Sequence, residues 1–209
     1  MDDATSTVWL QWAREIQALS QTGLTFCQTQ YDVQRYTRLM EIAAEMVAAN
    51  TTVSKATVLE TFRVQPGYAT VKVDVRGAVI RDDKILLVRE RRDLKWCMPG
   101  GWADVGEMPS EMVAREVREE SGFDVKPVRL VGVFDANRSQ PPSEFFHAYK
   151  LIFLCELLGG EPRESDETCG VEFFDRHALP TLSSHRTNER HLAEVFAHVK
   201  DPARLPVFD

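Results

Sequence analysis

Residues 101–123 read GWADVGEMPSEMVAREVREESGF, and the crowding of Glu116, Glu119 and Glu120 into five positions decides how the rest of the chain is read. Pro109 suits the first turn of a helix, where its missing N–H costs little. Gly122 suits the position just past a helix end. Between them Met112, Val113 and Val117 can face a core, so the stretch predicts a loop followed by a helix. The three glutamates lie three and four residues apart and share one helix face. Each exposed like-charged pair opposes the helix by about 0.2–0.5 kcal/mol, and by more when partly buried. Arg115 and Arg118 are placed to relieve part of this. On an arbitrary helix such a cluster is a solvated acidic face. Here a Gly100–Gly101 pair precedes the helix, and backbone carbonyls exposed there add oxygen donors. Hard cations take oxygen ligands and rely on a few carboxylates plus substrate phosphates. The stretch therefore predicts a divalent-cation site.

Outward from it, the flanks change period. Towards the C-terminus, strands are predicted at 128–134, 145–157 and 170–174, and a helix at 186–199. On the N-terminal side, Val71, Val73 and Val75 alternate as in a strand, and AVIRDDKILLVRE reads as two strands around Asp82 and Asp83. Pro66 and Gly67 punctuate the chain before them. Earlier still the pattern is helical. Trp9, Trp12, Ala13, Ile16 and Leu19 recur at helical spacing, with Gly23 as the stop. A second helix spans 32–49 with Asp32 as N-cap, and a third runs from Ser54 to Phe62. The boundary falls near residue 66, which gives two domains, 1–66 and 67–209.

The bulk composition narrows the partners. With 209 residues, 44% hydrophobic, 27% charged and a net charge of -7, the chain has material for a real core and no general attraction to nucleic acid or anionic lipid. An anionic substrate must meet local positive charge, from basic side chains or bound cations. The opening MDDATSTVWL lacks a basic stretch followed by an apolar one, and no run reaches the roughly 18 apolar residues of a membrane span. Cys27, Cys97, Cys155 and Cys169 form no CxxC pair, which predicts reduced thiols and a cytoplasmic protein.

The opening stretch resembles the Nudix box, G-x5-E-x7-R-E-U-x-E-E-x-G-U with U a bulky apolar residue. Gly101, Glu107, Arg115, Glu116, Val117, Glu119, Glu120, Gly122 and Phe123 occupy its fixed positions. The resemblance implies an α/β fold, a Nudix α/β/α sandwich with a mixed sheet, preceded here by a small helical domain. It implies Mg²⁺ or Mn²⁺ held by Glu116, Glu119 and Glu120, with the Gly100 carbonyl as a further ligand. Gly101, Glu107, Arg115 and Gly122 brace the motif. The implied reaction is hydrolysis of the diphosphate that joins a nucleoside to a second group. WLQWAREIQALSQTGLTFCQTQYDVQRYTRLMEIAAEM, in the first domain, is similar to a bacterial Nudix subgroup described as ADP-ribose or CDP-choline pyrophosphatases, which implies a homodimer through the helices.

The remaining site residues are read from position. Glu167, just before GVEFFD, is the candidate general base, with Glu144 and Glu164 as alternatives. Arg89 and Arg91, on one face by alternation, are candidate phosphate holders, and Arg92 and Lys95 lie nearby. Trp102, Trp96, Phe134, Phe145 and Phe146 are aromatic candidates for stacking on a base, with Trp102 inside the box loop. Asn137 and Arg138 sit in a loop expected to border the pocket, and His147 is expected to pack at the start of a strand. A Nudix fold can also serve as a ligand-sensing regulator on DNA or act on RNA ends. The box is intact, however, and residues 1–66 carry seven acids against five bases, unlike a DNA-reading face. The chain also lacks a basic track with interleaved aromatics for RNA.

Overall fold

The computed structural model describes residues 5–136 and 145–208. These form two compact units, one running to Val71 together with residues 145–147, the other made of the remainder from Lys72 onward. The sequence-predicted residues Asn137, Arg138 and Glu144 lie outside the described residues.

The first unit is α1 (Thr5–Phe26), α2 (Gln30–Asn50) and α3 (Lys55–Arg63). Ala13, Met40, Ala43, Ala44, Val47, Val58 and Phe62 form its core, and Phe145 stacks on Phe62 with ring centroids 4.8 Å apart. Two expectations need correction. Gly23 does not stop α1, which runs on to Phe26. It instead admits the Tyr36 ring of α2, because a Cβ there would lie 2.4 Å from Tyr36 Cε1. The N-cap of α2 is Thr29, not Asp32; the Thr29 hydroxyl accepts the Asp32 N–H at 3.1 Å. Trp12 and Leu19 lie on the solvent side of α1. They stand 56% and 60% exposed, in line with Phe26 at 64%. The helix buries Gln17, Ser20 and Gln21 in their place, with their polar atoms paired: Gln17 to Gln21 at 2.8 Å, Ser20 to the Ile16 carbonyl at 2.6 Å, Gln21 to the Gly67 carbonyl at 3.1 Å.

The second unit is a mixed sheet between helices. Its strands are β1 (Lys72–Arg81), β2 (Lys84–Glu90), β3 (Trp96–Cys97), β4 (Phe123–Asp135), β5 (Ala148–Gly160), β6 (Thr168–Asp175) and β7 (Val207–Phe208). The order is β3-β2-β1-β5-β4-β7, with β6 also paired to β2. Asp82 and Asp83 both take positive φ, 51° and 59°, which makes the tight β1–β2 hairpin. Helix α4 (Pro109–Ser121) packs Met112, Val113 and Val117 against Val75, Val79 and Leu86. Helix α5 (Glu189–Lys200) packs Leu192 and Val195 with Ala78, Ile85, Leu87 and Ile152 of the sheet. β4 begins at Phe123, five residues earlier than predicted from its apolar run, and β7 had no periodic signal at two residues. His147 is exposed rather than packed, one residue short of β5. All four cysteines are free thiols, and among the described residues no helix is long and apolar enough to cross a membrane.

One feature of the sheet builds the site. β1 pairs with β2 only beside the hairpin, Ile80 with Ile85 and Arg81 with Lys84. Further back, β1 donates its free edge to the loop before α4. Gly77 N–H bonds Pro99 at 2.9 Å, Val75 N–H bonds Gly101 at 2.8 Å, and Ala103 N–H bonds Val73 at 2.8 Å. The glycine loop is thus zipped to a central strand rather than left to wander.

Candidate active site

The loop and helix bring two of the three glutamates onto the glycine pair. Glu120 is 6% exposed, and one of its carboxylate oxygens accepts the Gly100 N–H at 2.9 Å. Gly100 has φ +141°, and a Cβ there would sit 2.0 Å from the Val75 carbonyl oxygen, so no other residue fits. Glu116 lies against Gly101, where an added Cβ would meet its Oε2 at 3.0 Å. The Pro99 and Gly101 carbonyls accept from the Gly77 and Val75 N–H groups of β1, and among the described residues no hydrogen bond takes the Gly100 carbonyl.

Electrostatics set these carboxylates apart. Burial pushes the Glu120 carboxyl up to about 8, against the pull of the Arg76 guanidinium and the Gly100 N–H. Burial also raises Glu116, opposed by Arg115. Glu119 is different. Its side chain is 58% exposed and held by Arg115 at 2.8 Å. Arg115 is the hub of the box: it grips Glu107 with two hydrogen bonds of 2.9 and 2.8 Å, reaches Asp104 at 3.2 Å and lies 3.0 Å from Glu116. That fork fixes the loop to the helix. Arg118 points elsewhere, to Asp124 at 3.4 Å, and does not relieve the cluster.

The donor set fits a hard divalent ion: two buried carboxylates whose charge is disfavoured where they stand, a third at the same face, and an unused carbonyl. As they stand, no three His, Cys, Asp or Glu side chains among the described residues converge tightly enough to enclose an ion, and the Arg115 guanidinium sits between the Glu116 and Glu119 carboxylates, 3.0 and 2.8 Å from them. Completing the set needs Glu119 to exchange that partner for the cation.

The other sequence-predicted residues are dispersed. Arg91 is occupied by the loop before β6, bonding the Ser165 carbonyl at 3.1 Å and Glu164 at 3.2 Å. Its N–H bonds the Glu167 carbonyl at 2.9 Å. Arg89 bonds the Leu94 carbonyl at 3.0 Å. Glu167 is exposed; the neighbouring Thr168 donates to the Glu120 backbone carbonyl at 2.8 Å, which sets this loop beside the end of α4. Phe134 is buried against His191, and Trp96 packs edge-on to Phe174 at 4.7 Å. Trp102 remains 44% exposed on the box loop, bridged by its backbone to Asp74.

A buried charged group beneath the loop was missed. Arg76 makes two hydrogen bonds to Asp74, 2.9 and 2.7 Å, and Lys150 on the adjacent β5 meets the same carboxylate at 3.0 Å. All three are under 7% exposed. The signal available was Asp74 and Arg76 interleaved with Val73 and Val75, a pattern that ordinarily marks a solvated strand face. His191 lies on the same side of the sheet. Its ring nitrogen accepts the Asn188 N–H at 3.2 Å in a reciprocal cap of α5, and burial, with Lys150 adding to it, pushes its pKa down to about 3. The native state therefore refuses a proton that the unfolded chain accepts below about pH 6.5. Stability should fall on acidification from 6.5 towards 3. His191→Gln, which can keep the cap, should flatten that fall by up to about 1.4 kcal/mol per pH unit. Urea unfolding at pH 7, 5.5 and 4 measures it; parallel slopes for both proteins would contradict the assignment.

Residues 71–197 match the NUDIX domain, and residues 7–62 match the UDP-X-like N-terminal oligomerisation domain. The chain belongs to the Nudix hydrolase family. It is 38% identical over 203 residues to YjhB of Bacillus subtilis (strain 168), provisionally named an ADP-ribose pyrophosphatase, covering 97% of this chain and 98% of that protein. A crystal structure of a UDP-X diphosphatase is 33% identical with a TM-score of 0.63, over 98% of this chain and 99% of that one. An ADP-ribose pyrophosphatase from Streptococcus suis 89-1591 is 36% identical with a TM-score of 0.62, over 67% of this chain and all of that one.

Proposed function

We propose that the protein is a Mg²⁺- or Mn²⁺-dependent pyrophosphohydrolase that splits the diphosphate of a nucleoside diphosphate linked to a second group, of the ADP-ribose or CDP-choline type. The observation that carries this reading is the placement of the buried Glu116 and Glu120 carboxylates against Gly100 and Gly101. Glu116, Glu119, Glu120 and the Gly100 carbonyl are the ligands. A bound divalent ion would supply Lewis-acid neutralisation of the diphosphate and a lower pKa for water. The protein's own part is to exclude solvent around Glu120, to hold the loop through Arg115 and Glu107, and to remove a proton from the attacking water, the role given to Glu167. A new P–O bond forms to water as the bridging P–O bond breaks, giving two phosphomonoesters. Trp102 is the aromatic assigned to stack on the base, a reading supported by its 44% exposure on the box loop. Arg89 and Arg91 take the phosphate role by exchanging their present partners, the Leu94 carbonyl for Arg89 and the Ser165 carbonyl and Glu164 carboxylate for Arg91, for the substrate.

A screen of nucleoside diphosphate derivatives with each cation, followed by phosphatase and phosphate detection, tests the reading. ADP-ribose or CDP-choline should yield phosphate only when the cation is present, and chelation with EDTA should stop it. Silence across the panel with both cations would overturn it.

The helical unit is proposed to form a homodimer through α1. Trp12, Leu19 and Phe26 repeat every seventh residue and present one exposed apolar stripe on a 22-residue helix. Light scattering at micromolar protein should give twice the chain mass, and Leu19→Asp should halve it. A monomeric wild type would end the proposal.

A further inference from the structure

The peptide of Met98, two residues before Gly100, is held from both sides by residues outside the box. Its N–H donates to the Thr187 hydroxyl at 2.9 Å, and its carbonyl accepts from Arg76 Nη1 at 3.2 Å. Both partners are fixed in turn. Arg76 is pinned by Asp74. Thr187 is fully buried in a turn where its own N–H bonds the Ser183 carbonyl at 2.8 Å, and that turn is stitched to β3 by Ser183 N–H to Trp96 at 2.8 Å. Beyond Met98, the backbone of 99–101 is committed to β1 and Glu120 through Pro99, Gly100 N–H and Gly101. The Gly100 carbonyl is what this clamping leaves free.

We propose that Thr187 and Arg76 are positioning residues that aim the Gly100 carbonyl at the cation site. Neither touches the ion; they act through the Met98 peptide. The inference rests on the metal reading given above. It assigns a role in ion binding to the turn before α5, far from the box in sequence. Outer groups that orient metal ligands typically matter by about 10–100-fold in affinity or activity.

The test uses the full chain and Mn²⁺ alone, with free ion followed by electron paramagnetic resonance, alongside thermal unfolding and the kcat and KM of hydrolysis. Thr187→Val removes the acceptor while keeping the shape, and Thr187→Ser restores it. Thr187→Val should remain folded and bind Mn²⁺ about tenfold more weakly, with the Mg²⁺ needed for half-maximal rate rising in step. Thr187→Ser should recover most of the affinity. Arg76→Lys gives an independent arm, since Lys pairs with Asp74 but lacks the fork, and should weaken Mn²⁺ similarly. A folded Thr187→Val with wild-type Mn²⁺ affinity overturns the proposal. Glu120→Gln separates the two readings. If it binds Mn²⁺ normally, the metal assignment itself is wrong; if it loses Mn²⁺ while Thr187→Val does not, only the positioning role fails.

Discussion

Replacing Glu116 by Gln should lower turnover by at least the roughly 10²–10³-fold that follows loss of one preorganised electrostatic group from an active site, or about 3–4 kcal/mol of barrier. The substitution keeps the size and one oxygen, so packing against Gly101 survives. Folding should not suffer. Burial already disfavours the Glu116 charge, and an amide removes that penalty. The expected signature is therefore a melting temperature equal to or above wild type with hydrolysis nearly gone at saturating Mg²⁺. The comparison also distinguishes a metal ligand from a brace. Glu107 is a partner of Arg115, and its loss loosens the loop without deleting an ion ligand. Near-normal turnover of Glu116→Gln in Mg²⁺ would remove Glu116 from the ligand set.

The largest expected stability effect lies one layer below. Asp74→Asn should destabilise the protein by about 3–5 kcal/mol, because it leaves Arg76 and Lys150 buried side by side without their shared counter-charge. Burial alone would raise the Asp74 carboxyl, yet the Arg76 and Lys150 charges overcome it and hold the group down to about 2. A depressed acid stabilises the native state fully above its unfolded pKa, near 3.8, and that stability is lost as pH falls through 2. The contribution lost there is of order 2 kcal/mol, smaller than the neutralisation penalty because protonation leaves the hydrogen bonds partly in place. Urea unfolding at pH 7 checks the first figure. A loss below about 1 kcal/mol would show that water reaches the cluster.

How much of this was legible follows from the range of the interactions. The box announced itself because every element of it is local: Glu116, Glu119 and Glu120 share a face through helical spacing, Gly122 ends the helix at φ +80°, and Arg115 reaches Glu107 over one turn and a loop. The Asp82–Asp83 hairpin was legible for the same reason. The partners of Arg91 were not legible because they lie on a loop more than 70 residues away, where the Ser165 carbonyl and the Glu164 carboxylate take its guanidinium. Helical spacing reported the apolar stripe that includes Trp12 and Leu19, but not that these two stand exposed.

The sequence by itself determined the α/β class, the helices that precede it and the chemistry of the box, since periodicity, turn residues and motif spacing are all properties of neighbouring positions. Tertiary structure alone decided that Asp74 and Arg76 are buried rather than solvated, that Met98 is held by Thr187, and that Glu119 turns to Arg115 while Glu120 turns to Gly100. The physical reason is that burial and partner choice arise when distant strands close on one another: β5 brings Lys150 to Asp74, and the free edge of β1 draws in the glycine loop.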